Sequence, residues 1–203
     1  MPDQQLNRLR QALASHFDQH EADCLARLLS LCLEKEVVGY EELDLICPDK
    51  DDHILTLFEE RVLLPCQGGN DVSWEERGLR LDPGERYVVP AVARSLIRYA
   101  GWTGELDTEQ ALTGALSMCP SIDTQDLVRL VTHCLAQTTS HRLEAGLVGA
   151  MAKRLGLTID LHDAVDLFVA SGILSPCKGV SQASGLSWYE MNSCLFWAPP
   201  HKL

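Results

Sequence analysis

Three side chains near the N-terminus have the types and spacing of metal ligands. His16, His20 and Cys24 stand at i, i+4 and i+8 in the stretch HFDQHEADC. On one continuous helix, successive members turn by only about 40°. Two imidazoles and a thiolate would then share a face and could hold a metal ion. Continuity decides the matter, because a helix break at Asp18 would scatter the three. Cys47, His53 and Cys66 form a second set that only folding can bring together, and spacing alone supports no site there. The chain has 8 cysteines with no C-x-x-C pair. Most lie in apolar runs such as LLSLCLEK and VTHCLAQ, where Cys behaves as a small buried hydrophobe. With no separate apolar segment or cleavage site in MPDQQLNRLRQALASHF, no signal peptide is read there. The expectation is a soluble cytoplasmic protein with reduced thiols.

The second chemistry to consider is phosphate binding. Arg77, Arg80 and Arg86, then Arg94 and Arg98, could contact nucleic acid, but Glu75, Glu76, Asp82 and Glu85 dilute them. Arg142, Lys153 and Arg154 make a second thin cluster. The whole chain carries 17 Lys+Arg against 29 Asp+Glu, a net charge of −12. Residues 1–101 hold 11 basic and 19 acidic residues, and residues 102–203 hold 6 and 10, so both halves are acidic. A field of this sign repels a phosphate backbone. Hydrolase, P-loop and dinucleotide motifs are absent, and His133 and His141 have no partner set for nucleophilic catalysis. The chain therefore reads as a non-enzyme with no organic cofactor.

The elements that position these residues come in two similar sets. ARLLSLCLEK and ILTLFEERVLLPCQGG in the first half match VRLVTHCLAQ and AVDLFVASGILSPCKGV in the second. Cys32 aligns with Cys134, Leu57-Phe58 with Leu167-Phe168, and Pro65-Cys66 with Pro176-Cys177, with one extra residue at Gly172. A period near 100 residues means duplicated domains. In each copy the apolar periodicity predicts three helices and then a β-hairpin. The first copy has helices over 22–35, 40–46 and from a cap at Asp51 or Asp52. Its strand at 62–64 is followed by a turn at 67–71 and a return beginning 72–74. The second has helices over 124–137, 144–155 and 161–171. Its hairpin arms are 173–175 and 185–191, the latter extended by 193–197. Further helices are expected over 4–17, 88–99 and 109–118, with the boundary at Gly101–Gly104. The units are thus 1–101 and 102–203.

Three helices followed by a small wing resemble the winged-helix superfamily, on element order plus the shared LF-x-x-x-[VI]-L-x-P-C pattern. The fold expected is mainly α with small antiparallel β wings, an α+β class, as tandem winged-helix-like domains. Winged helices that read DNA place the third helix in the major groove. Here residues 51–61 hold four acidic residues and one basic one, and residues 160–171 hold three aspartates and no Lys or Arg. Both have the wrong sign for a phosphate-flanked groove.

The four tryptophans read as packing or contact residues. Trp74 and Trp188 fall at similar places in the two wings, and Trp102 could pin the boundary. Trp188, Tyr189, Phe196 and Trp197 could meet a partner or a second copy, or dock on the core as a last strand. No run is long enough for a membrane span. An adaptor or regulatory role with a protein partner, preferably basic, is expected. A DNA regulator using the wing arginines and a metal or redox sensor are the alternatives.

Overall fold

The computed structural model describes residues 1–44, 46–47, 49–67, 72–117, 123–177 and 187–198. Helix α1 (Asp3–Leu13) is followed by α2 (Gln19–Glu34). Asp18 caps α2 by accepting from the Glu21 amide at 2.9 Å. The helix places Leu25, Leu28, Leu29 and Cys32 on its buried stripe, as its 3.6-residue periodicity dictates. A strand missed by the hydrophobic pattern, β1 (Val37–Gly39), then leads into the four-residue α3 (Tyr40–Leu43). Helix α4 (Lys50–Glu59) starts after Asp49, so Asp51 and Asp52 lie inside its first turn and cap nothing. The strands β2 (Leu64–Pro65) and β3 (Arg86–Val88) complete an antiparallel sheet in the order β1-β3-β2. Trp74 sits in a 3-10 turn (Trp74–Glu76), not in the returning strand. Most of the turn expected over 67–71 lies outside the described residues.

Helix α5 (Ala91–Thr103) runs through the stretch expected to separate the units and leads to α6 (Thr108–Leu116). The second unit then repeats the first. It comprises α7 (Thr124–Leu135), β4 (Arg142–Glu144), α8 (Ala145–Arg154), α9 (Leu161–Ala170), β5 (Leu174–Cys177) and β6 (Trp188–Met191). Its sheet order is β4-β6-β5, the same arrangement as in the first unit. Residues 193–196 form a 3-10 turn, where an extension of the strand was expected. The hairpin turn before Ser187 lies outside the described residues. Among the described residues the protein is mainly helical with two small three-stranded sheets, an α+β chain. No described helix is long and apolar enough to cross a membrane.

Burial corrects the register of the repeat. Val62 and Ile173 donate to the carbonyls of Leu57 and Phe168 respectively, and both acceptor residues are fully buried. Leu57 therefore matches Phe168, not Leu167. Arg61 then matches Gly172, and both take positive φ, 58° and 70°. No extra residue enters at Gly172. Within the sheets Pro65 pairs with Tyr87, and Pro176 with Tyr189. The structural counterpart of Trp188 is thus Arg86, and Trp74 and Trp188 share no position.

The two units form one body. Helix α5 packs against both α1 and α6, and most of the described buried apolar residues belong to one cluster that runs from Leu9 to Trp197. The seam is also polar. Arg61 donates to Glu190 at 2.7 Å with both side chains largely shielded, and Arg142 pairs with Glu75 at 3.0 Å. Asn192, fully buried, donates to the Arg61 and Gly172 carbonyls at 3.0 and 2.9 Å. The Trp74 amide donates to Ser175 Oγ at 3.0 Å, and the Val92 amide to the Ser171 carbonyl at 3.0 Å.

Candidate functional site

The His16-His20-Cys24 triad does not assemble. With Asp18 capping a new helix, His16 lies past the end of α1, where its ring packs on Phe17 at 4.8 Å and Trp197 at 5.4 Å. His20 is exposed in the first turn of α2. Cys24 instead joins Cys47 and His53, whose ligand atoms all lie within 4.8 Å of one another. Sequence reasoning had these three residues in two separate sets. Cys66 belongs to neither cluster; it is exposed after β2.

Three segments build this cluster. The α2 stripe presents Cys24 half-buried, and α4 buries His53 beside Ile54. Between them, Cys47 is buried in the connection from α3 to α4. That connection is tied down at Lys50, which pairs with Asp44 and stands 3.9 Å over the Tyr40 ring. Tyr40 in turn donates its hydroxyl to Asp51 at 2.8 Å. Burial, then the hydrogen bond with Cys47, pushes the Cys24 thiol up to about 11. Cys24 therefore stays protonated at neutral pH unless something replaces the proton. Among the described residues, no hydrogen bond claims either ring nitrogen of His53. Two thiols and an imidazole are donors for a borderline-soft divalent ion.

The proposed nucleic-acid arginines divide. Arg77 is 9% exposed and donates to the Pro65 carbonyl at 3.4 Å, and burial lowers its pKa. Arg94 donates to the carbonyls of Leu33 and Lys35 at 3.2 and 3.0 Å, holding the end of α2. Both are engaged by backbone carbonyls of the first unit. Arg80, Arg86 and Arg98 are exposed. In the second cluster Arg142 is engaged with Glu75, while Lys153 and Arg154 are exposed at the end of α8.

The C-terminal aromatics are mostly docked. Trp197 is 5% exposed, packs edge-on against Phe17 at 5.2 Å, and donates Nε1 to Glu60 at 2.8 Å. It is a fastener between the units, not a contact surface. Phe196 is half-buried and stacks on His141 at 4.5 Å. Trp188 and Tyr189 are half-buried in β6. Trp102, expected to pin the boundary, is 66% exposed and packs little.

One pairing escaped the sequence reading: Ser193 Oγ lies 3.1 Å from His141 Nδ1. Ser193 is buried in a 3-10 turn, and no described carboxylate orients the imidazole. A nucleophile activated by its base needs that third group. The pair ties the turn to the loop before β4. No protein-family model, curated protein or solved structure matches this chain.

Proposed function

We propose that this chain is a non-enzymatic adaptor or regulatory protein: two winged-helix-like units held as one body, which act by binding a basic protein partner. The observation that carries the reading is the division of the surface between committed and free groups. The groups suited to phosphate are partly spent, since Arg77 and Arg94 hold the fold. The equivalent helices α4 and α9 expose acids to solvent, although Asp51 also accepts from the Tyr40 hydroxyl and Asp166 lies 3.6 Å from His162. Asp51, Asp52 and Glu59 are exposed on α4, and Asp163 and Asp166 on α9.

The α4 face also exposes an apolar residue, Leu55 at 42%, which lies four residues from both Asp51 and Glu59 and so on the same side of the helix. A leucine within an acidic rim suits a basic, amphipathic protein surface, with charge steering the encounter and fixing orientation. The strands of each unit follow the order helix, helix, strand, helix, helix, strand, strand, which supports the winged-helix reading of the architecture. The seven described cysteines are free thiols, which supports a reducing compartment.

The test uses charge reversal. Proximity labelling with the wild-type chain is compared with two variants, Asp51→Lys/Asp52→Lys and Asp163→Lys/Asp166→Lys. A partner enriched by wild type is then purified and titrated against all three chains. The expected result is a basic partner whose binding weakens with added salt and is lost in at least one variant. A partner bound equally by all three chains would overturn the reading.

A further inference from the structure

We propose that Cys24, Cys47 and His53 bind one zinc(II) ion, a property that neither requires nor follows from the adaptor reading. The ligand atoms already lie within 4.8 Å of one another. Tetrahedral zinc with Zn–S bonds of about 2.3 Å needs its two sulfur atoms about 3.8 Å apart. Side-chain rotation of less than an ångström or so closes that difference. Two thiolates and one imidazole are a zinc donor set by softness, and they discriminate against magnesium and calcium, which take oxygen ligands.

Binding is an exchange of cations. Zinc displaces the proton of each thiol, the imidazole binds in its neutral form, and the protons leave to solvent. No electrons move. Burial of Cys47 and His53 against half-exposed Cys24 puts the fourth position on the Cys24 side, where water can complete the tetrahedron. Such an ion would join α2, the α3–α4 connection and α4, adding to the Lys50 contacts, the Tyr40–Asp51 bond and the bond from Thr56 on α4 to Glu21 on α2 at 3.3 Å.

The second unit shows that the fold does not need these residues. In the burial register His53 corresponds to Ala164, which is fully buried. Cys24 corresponds to Asp126, in the register that matches Cys32 with Cys134. His53→Ala therefore installs a side chain that the same architecture already accommodates.

The experiment uses the full chain, reduced and stripped with a chelator, and titrates it with cobalt(II) and then zinc(II). The expected result is one cobalt per chain, with thiolate-to-metal charge-transfer absorption and tetrahedral visible bands, both bleached by zinc. His53→Ala and Cys47→Ser should each weaken the affinity by at least about tenfold. The double variant His16→Ala/His20→Ala and the single variant Cys66→Ser should bind as wild type. Far-UV circular dichroism of the metal-free variants confirms folding, and zinc should raise the Tm of wild type but not of His53→Ala. Failure of the wild-type chain to bind zinc or cobalt at micromolar concentration would overturn the proposal. So would bands that survive His53→Ala, or bands lost with His16→Ala/His20→Ala.

Discussion

In the second unit, α8 runs ten residues from Ala145 to Arg154, and the chain after it packs Leu155, Leu157 and Ile159 against the core. In the first unit, the equivalent α3 has four residues, Tyr40–Leu43, and the connection after it carries Ile46 and Cys47. The two units nonetheless build the same sheet in the same register, with Val38 against Tyr87 and Leu143 against Tyr189. The comparison separates what the architecture requires from what one copy adds. The sheet, the buried stripe of the second helix and the turn after the fourth are shared. Where the regular helix is short, the first copy has a thiol–imidazole cluster and the Lys50–Asp44–Tyr40 contacts.

Core truncations at matched positions give the largest effects. Phe168→Ala should cost about 3–5 kcal/mol and Leu57→Ala about 2–5 kcal/mol, since both side chains are fully buried. Because one apolar cluster spans both units, either variant should shift a single urea transition seen alike by tryptophan fluorescence and far-UV circular dichroism. Two separated transitions would show that the units unfold independently.

Glycines at matched dihedrals sharpen the comparison further. Gly172 and Gly156 have φ of 70° and 69°. A Cβ at Gly172 would stand 2.4 Å from Pro90 Cβ, whereas at Gly156 it meets nothing. Gly172→Ala should therefore cost about 3 kcal/mol, from backbone strain plus overpacking, and Gly156→Ala about 1 kcal/mol from strain alone. Equal losses in urea melts would mean that the seam at Pro90 yields.

Helix caps give a smaller contrast. Asp160 accepts from the His162 and Asp163 amides at 2.8 and 3.2 Å, while Asp49 makes no capping bond. Asp160→Ala should lower stability by about 1 kcal/mol, and Asp49→Ala by less than about 0.5 kcal/mol. A loss at Asp49 as large as that at Asp160 would contradict the capping assignment.

The last effect is nil at neutral pH. Burial pushes the matched thiols Cys32 and Cys134 up to about 12 and about 11, from an ordinary value of 9.0. The folded state therefore holds these protons more tightly than the unfolded state. Their contribution is complete below pH 9 and is lost as pH rises toward 11 and 12. The urea midpoint should fall over that alkaline range, and less steeply in Cys32→Ala than in wild type, when each is referred to its own value at pH 7.

Much of the fold was legible because helices α2, α4, α7 and α9 carry long apolar stripes that differ little from their burial. The strands β1 and β4 were not, since each has three residues and buries only its central one, Val38 or Leu143. Val37-Val38 did carry a β-branched signal, hidden between a helix end and a glycine. The repeat register slipped because identity of Leu-Phe outweighed burial at Leu57 and Phe168. The site was half legible. Helical spacing grouped Cys24 with His16 and His20, whereas the true neighbours, Cys47 and His53, arrive through space from 23 and 29 positions along the chain. Asp18 was correctly flagged as the residue that would break the helix. Nothing local in the sequence showed that Arg77 and Arg94 would be engaged by backbone carbonyls of the first unit, or that Trp197 would fasten the two units together.

The proposal that this double unit meets proteins and not nucleic acid is open to a direct measurement. Fluorescence anisotropy of a mixed DNA duplex pool at low salt tests it most directly, with the full chain and with an Arg80→Ala/Arg86→Ala/Arg98→Ala variant. These three arginines remain exposed in the structure. The expected result is no binding by either chain even at low salt. Tight, salt-sensitive binding by wild type that disappears in the variant would contradict it and make the chain a DNA regulator.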